Sequence, residues 1–134
     1  MNLTREQNNQ IKKLAKRRRL RLMYVFGSAA RGDMHAGSDI DIAYQSVELL
    51  SESHRSEIAS ALYKILEPGR SPIDVVDLAT APPLLAYHIA REGRKLYGNA
   101  LDDNLFYCHA LERAIDARPL FELTAHYVHA SLAI

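Results

Sequence analysis

The sequence holds a single cysteine, Cys108, in 134 residues. One thiol excludes an internal disulfide and fits a reducing compartment. No apolar run is long enough to span a bilayer, and no secretory pattern opens the chain. These absences give the expectation of a cytoplasmic protein with no membrane segment. Net charge is nearly absent as well. Lys and Arg number 17 against 16 Asp and Glu, a formal +1, so the molecule as a whole does not draw nucleic acid or lipid headgroups to itself. Six histidines are present, His35, His54, His88, His109, His126 and His129, but none falls in the tight His/Cys spacing of a structural zinc site. The seven tyrosines are scattered, without a base-stacking aromatic pattern. Internal repeats, low-complexity tracts and linkers are also missing.

What is present suits one domain with a real core: 48% of residues are apolar and 25% charged. Charge is locally uneven. Lys12 to Arg21 contains seven basic residues, which read either as a solvated helix face or as a stripe turned toward an anion or a partner. Thr4 and Gln7 fit a capping box, so a basic helix is expected from there to about Arg19. Leu20 to Phe26 reads as a first strand closed by Gly27. Ser38 to Tyr44 reads as a second, with Ile40, Ile42 and Tyr44 on one face and Asp39, Asp41 and Ala43 on the other. Ile58, Ala61, Leu62, Ile65 and Leu66 form a helical stripe that Pro68-Gly69 ends. Pro72 to Leu78 is a third strand, Pro82-Pro83 opens a short helix that stops at Gly93, and Arg94 to Gly98 offers a brief edge strand. A last helix is expected near Asp102, with Leu101, Leu105, Cys108, Leu111 and Ile115 on one side and a break or kink at Pro119. The apolar tail from Leu120 to Ile134 reads as helical again, and either as a partner interface or as a segment that folds back on the core or pairs with a second copy. The pattern is that of an α+β or α/β domain, a short mixed sheet flanked by helices. Residues 1–134 form one unit, with a helical C-terminal part from about 82.

The anomaly is Asp39-Ile40-Asp41. Strand period two puts both acids on one face, in a segment type that is depleted in aspartate. Like charges held close in a partly dry place cost free energy unless a cation, a proton or hydrogen bonds offset them. An edge strand with that face in water would be an ordinary explanation. Gly27-Ser28 argues for another. A strand ending in Gly-Ser and entering a helical turn presents backbone N–H groups that suit a phosphate, and Ala29 to Ser38 can return the chain so that the acids face the same mouth. Magnesium takes carboxylates together with substrate phosphates, and two such ions stabilise both oxygens of an in-line displacement. That chemistry asks for a third acid. Asp74 is the candidate on the third strand, and Asp77, three residues on, points to the opposite face and suits a cap on the following turn. At ordinary composition, Gly-Ser, ten residues and Asp-x-Asp arise by chance in roughly one chain of this length in several hundred.

These residues resemble the signature of the nucleotidyltransferase superfamily that includes DNA polymerase β, and the chain looks like a minimal nucleotidyltransferase. The resemblance covers Leu20 to about Leu78 and, more loosely, Arg91 to Gly98. It implies a nucleotidyltransferase-like fold, ATP as substrate, and Asp39 and Asp41 as metal ligands for Mg2+, two ions in all. It assigns Gly27 and Ser28 to the triphosphate, Arg31 within the family's Gly-Ser-x-Ala-Arg-Gly form to phosphate contact, and Asp74 to the metals and the attacking hydroxyl. Minimal nucleotidyltransferases of this kind are commonly paired with a HEPN-domain ribonuclease as antitoxin and toxin, the enzyme transferring AMP to a tyrosine of the toxin. The chain lacks the HEPN pattern of an arginine followed by His-x-Tyr, since His126 and Tyr127 are adjacent, so that partner would be a separate chain. A tRNA end, an aminoglycoside, or silencing of the partner by contact alone stand as alternatives. A homo- or hetero-oligomer is compatible with all of them, and direct nucleic-acid binding stays open.

Overall fold

The first helix, α1 (Arg5–Arg17), begins where the sequence places it. The Thr4 hydroxyl accepts from the Gln7 N–H at 3.1 Å, and the Gln7 side chain accepts from the Thr4 N–H at 3.0 Å. Two orphan donors of the first turn are thereby satisfied. Ile11, Leu14 and Ala15 are buried, which leaves the basic residues on the outer side. Arg19 turns the chain with a φ of 55°, and strand β1 (Leu20–Phe26) follows, buried at every position except Arg21. The structure is a computed structural model that describes residues 2–32, 39–67 and 71–132, with side chains described as far as residue 118.

After β1 come the short helix α2 (Ser28–Arg31), β2 (Ile40–Ser46), α3 (Glu52–Leu66), β3 (Ile73–Asp77), α4 (Pro83–Glu92), β4 (Arg94–Tyr97) and α5 (Ala100–Leu132). The four strands form one mixed sheet in the order β3-β2-β1-β4. β1 is antiparallel to both β2 and β4, while β2 and β3 are parallel. A parallel pair needs a long crossover, and α3 supplies it. Ser51 caps α3, its hydroxyl accepting from the His54 N–H at 3.2 Å.

Helices cover both sheet faces, as strand alternation requires. Met23, Val25, Ile42 and Tyr44 pack with Ile11 and Leu14 of α1 and Ile58 and Leu62 of α3. Leu22, Tyr24, Phe26 and Ala43 pack with Ala86 and Ile89 of α4 and Phe106 and Ala110 of α5. Side chains as fully enclosed as Leu62 contribute heavily, and truncating one to alanine costs about 2–5 kcal/mol. Among the described residues no helix is long and apolar enough to cross a membrane.

Strand β2 starts two residues later than the sequence suggests, at Ile40, but its faces are as expected. The last helix corrects two expectations. First, α5 is not broken at Pro119 but runs on as one helix of 33 residues. The carbonyl that loses its donor belongs to Ile115, an exposed residue where water can replace the missing N–H. Second, the face that packs inward is Phe106, Ala110 and Ala114, whereas Leu101, Leu105 and Ile115 are exposed and Cys108 is too. Small alanines let α5 lie close, and Tyr24 anchors it. The Tyr24 and Phe106 rings are 5.5 Å apart, and the Tyr24 hydroxyl donates to Asp103. Residues 33–38 of the expected loop, Pro68-Gly69 and the side chains of Leu120 to Ile134 lie outside the described residues, so the expectations placed on them have no counterpart here.

Candidate active site

The turn after β1 is built around Gly27. Its φ of 68° and ψ of −149° fall in a region that is essentially reserved for glycine. A Cβ at this position would meet Asp41 Oδ2 at 2.4 Å, closer than any real side chain sits. The glycine therefore makes room for a carboxylate of the neighbouring strand, a demand the sequence did not reveal. Its carbonyl accepts from the N–H groups of Ala30 and Arg31, both at 3.2 Å, which closes the turn of α2. Ser28 is half-buried at the start of α2, Arg31 is exposed at its end, and Gly32 terminates it with a φ of 79°.

Asp39 is exposed immediately before β2. Asp41 stands opposite Phe26 of β1 in one ladder and opposite Asp74 of β3 in the other. Because β2 and β3 are parallel and in this register, Asp41 and Asp74 share a sheet face, the α4/α5 face, at its end beside Gly27. Electrostatics ties the cluster together. Burial pushes the Asp41 carboxyl above its usual range, the negative charges of Asp74 and then Asp39 push it further, and the Arg31 guanidinium partly opposes them. Gly27, Arg31, Asp39, Asp41 and Asp74, five of the six residues expected to form a site, thus meet at one end of the sheet, with Ser28 next to them in the chain.

Asp77 belongs elsewhere. It pairs with Tyr44 in the β2/β3 register and so faces the α1/α3 side. Its side chain is 8% exposed and lies 3.9 Å from Arg55 Nε. It also accepts from the Ala79 N–H at 2.9 Å, capping the turn after β3 as its position suggested. The Tyr44 hydroxyl is pushed up to about 12 by burial first and by the charge of Asp77 next. Asp77 is held by the fold, while Asp74 is exposed toward the cluster. The link of Asp77 to Arg55 and that of Tyr24 to Asp103 were not anticipated. The second joins residues 79 positions apart, and nothing in a single sequence marks such a pair.

The donor set suits a hard divalent cation. A carboxyl whose ionisation is opposed by burial and by two like charges gains from a positive ion beside it. Among the described residues no three Asp, Glu, His or Cys side chains close as a ready-made metal cage. Magnesium is a hard cation that takes one or two carboxylates and completes its shell with water and substrate phosphates.

The chain is similar to known proteins. Residues 9–102 match the family model described as polymerase beta, nucleotidyltransferase. The protein adenylyltransferase MntA of Shewanella oneidensis is 39% identical over 88 residues, which are 66% of this chain and 61% of that protein. The chain therefore spans about three fifths of the length of this relative. Among solved structures, a chain in a toxin–antitoxin crystal structure with AMP-PNP superposes with a TM-score of 0.72 at 30% identity, covering 95% of this chain and 98% of the other. A chain in the complex of the tri-AMPylated Shewanella oneidensis HEPN toxin with MNT antitoxin gives a TM-score of 0.67 at 28% identity, covering 96% and 97%.

Proposed function

The chain belongs to the polymerase β nucleotidyltransferase family, and from that premise we propose that it is a protein adenylyltransferase, the antitoxin that transfers AMP from ATP to a tyrosine of a HEPN-type toxin. The observation that carries the reading is the juxtaposition of Asp41 and Asp74 across the β2/β3 ladder, with Asp39 close enough to raise Asp41 and with Gly27 shaped around the Asp41 carboxylate. The likeness to chains from toxin–antitoxin complexes, one with an ATP analogue and one with an AMPylated toxin, supports the choice of substrate and partner.

In this proposal the Gly27-Ser28 turn holds the triphosphate and Arg31 contacts a phosphate oxygen. Asp39 and Asp41 would hold magnesium, two ions with the help of Asp74. Magnesium, when bound, would neutralise charge on the attacking and leaving oxygens. The tyrosine hydroxyl attacks the α-phosphorus in line, a new P–O bond forms, the bond between the α-phosphorus and the α–β bridging oxygen breaks, and pyrophosphate leaves. Asp74, exposed and beside Asp41, takes the hydroxyl proton. Positioning and charge neutralisation supply most of the rate, as in phosphoryl transfer generally.

The test uses ATP labelled at the α- or the γ-phosphate, the purified chain, magnesium and a HEPN-domain protein from the same genome. Label from the α-position alone should pass to the HEPN protein. Transfer of γ-label would make the chemistry that of a kinase and overturn the assignment.

A further inference from the structure

The basic stretch from Lys12 to Arg21 divides in the fold. Arg18 bridges to Glu57 of α3 and Arg19 to Glu48. Lys12 and Arg21 instead line a groove of about 490 Å³ together with Lys95 of β4. These three cations come from three elements, are exposed, and have no ion-pair partner among the described residues. Arg21 is the one exposed side chain of β1. The groove lies at the opposite end of the sheet from the carboxylates, because Leu20 pairs with Ser46 at one end of β1 and Phe26 with Asp41 at the other. Tyr97, half-buried, shares the wall. Asp102 is its one carboxylate, at the start of α5, where its N–H donates to Asn99 Oδ1 at 2.8 Å.

We propose that this groove binds single-stranded nucleic acid. Three like charges around one concavity repel each other and gain from an anion between them. The volume leaves room for a nucleotide. Cations beside an aromatic ring match a strand that carries a phosphate and a π-face at every step. An acidic peptide would use the cations, but it does not present a π-face at every step as a nucleic-acid strand does. This site is separate from the proposed transfer chemistry and does not rest on it.

The experiment is fluorescence anisotropy of a labelled mixed-sequence single-stranded RNA of about 12 nucleotides, within the site size of such grooves, titrated with the full chain at several salt concentrations. Three phosphate contacts on a single strand give a log–log salt slope of about −2. The triple variant Lys12→Ala/Arg21→Ala/Lys95→Ala should lose that slope and at least about tenfold in affinity at low salt, and Lys95→Glu alone should weaken binding in the same direction. Lys13→Ala, exposed on α1 outside the groove, should bind as the parent does. Tyr97→Leu should weaken RNA by about tenfold, Tyr97→Phe should restore it, and binding of polyglutamate should not change between them. Melting curves check that each variant is folded. Parent-like binding by both the triple variant and Lys95→Glu would overturn the proposal, as would the absence of RNA binding at low salt. Equal loss of RNA and polyglutamate in Tyr97→Leu would also overturn it and give the groove to an acidic protein segment.

Discussion

Replacing Gly27 by alanine tests how the site is held together. Two penalties follow from the structure. The backbone at φ 68° and ψ −149° costs about 1–3 kcal/mol for a residue with a Cβ. The new Cβ also stands 2.4 Å from Asp41 Oδ2 and 3.4 Å from its Cγ, so the carboxylate has to retreat by roughly 1 Å to reach ordinary contact. A displacement of that size at a reacting centre can cost about a hundredfold in rate. Gly27→Ala should therefore melt lower by roughly 4–12 °C, at about 4 °C per kcal/mol for a domain of this size, and lose most AMP transfer. A double-mutant cycle separates the two penalties. Asp41→Ala removes the contacts at 2.4 and 3.4 Å and leaves only its own Cβ at 3.7 Å, while the backbone strain stays. Denaturant unfolding of the parent, both single variants and the double variant should show Gly27→Ala costing clearly less without the Asp41 carboxylate. The same cost in both backgrounds would refute the idea that this glycine exists to seat Asp41.

Other outcomes follow from the charges. Asp41→Asn should abolish transfer and raise the melting temperature in chelator. Because the folded state holds the Asp41 proton more tightly than the unfolded chain does, metal-free stability should rise as pH falls through its raised pKa toward the ordinary carboxylate value, and the substitution should flatten that part of the curve; an unchanged pH profile would contradict the clustering. Asp74→Asn should suppress transfer by orders of magnitude yet spare ATP binding measured by calorimetry, while Asp77→Asn, which removes the charge opposite Arg55 but keeps an acceptor for the Ala79 N–H, should cost about 1–3 kcal/mol of stability and leave transfer by the folded fraction near normal; the reverse ranking would mean that the two acids have exchanged roles. Stability should fall as pH climbs from about 10 toward 12, since Tyr44 stays protonated to about 12 in the fold and ionises earlier once exposed. Tyr24, raised by burial and by Asp103, acts in the same direction. The fall measured by chemical denaturation should shrink in Tyr44→Phe, and an identical fall there would assign it to other groups.

Much of the fold was legible because its local signals agree with one another. The Thr4/Gln7 box, the apolar strand closed by Gly27, the α3 stripe and the Pro82-Pro83 start each point to a single conformation. The acids were legible for the opposite reason, since two aspartates on one face of a strand contradict local preference. Spacing gave Asp74 its face, and the parallel register then set it opposite Asp41. What stayed hidden depends on contacts between distant segments. The inward face of α5 went unread because alanines at 110 and 114 carry little apolar signal, whereas the exposed leucines at 101 and 105 carry much. Their choice follows from how close α5 lies to α4 and Tyr24, a tertiary fact. The continuity of α5 through Pro119 depends in the same way on solvent access to one carbonyl. The basic stretch was visible as composition, but only the fold separates Arg18 and Arg19, which are paired, from Lys12 and Arg21, which have no ion-pair partner among the described residues.

The most direct measurement is the intact mass of a HEPN-domain partner from the same genome after incubation with the chain, ATP and magnesium, followed by peptide mapping. Transfer as proposed adds whole AMP units to a tyrosine, and the addition disappears with the Asp39→Asn and Asp41→Asn variants. A partner that binds the chain and stays unmodified while ATP is bound and all three acids are intact would contradict the account and leave silencing by contact in its place.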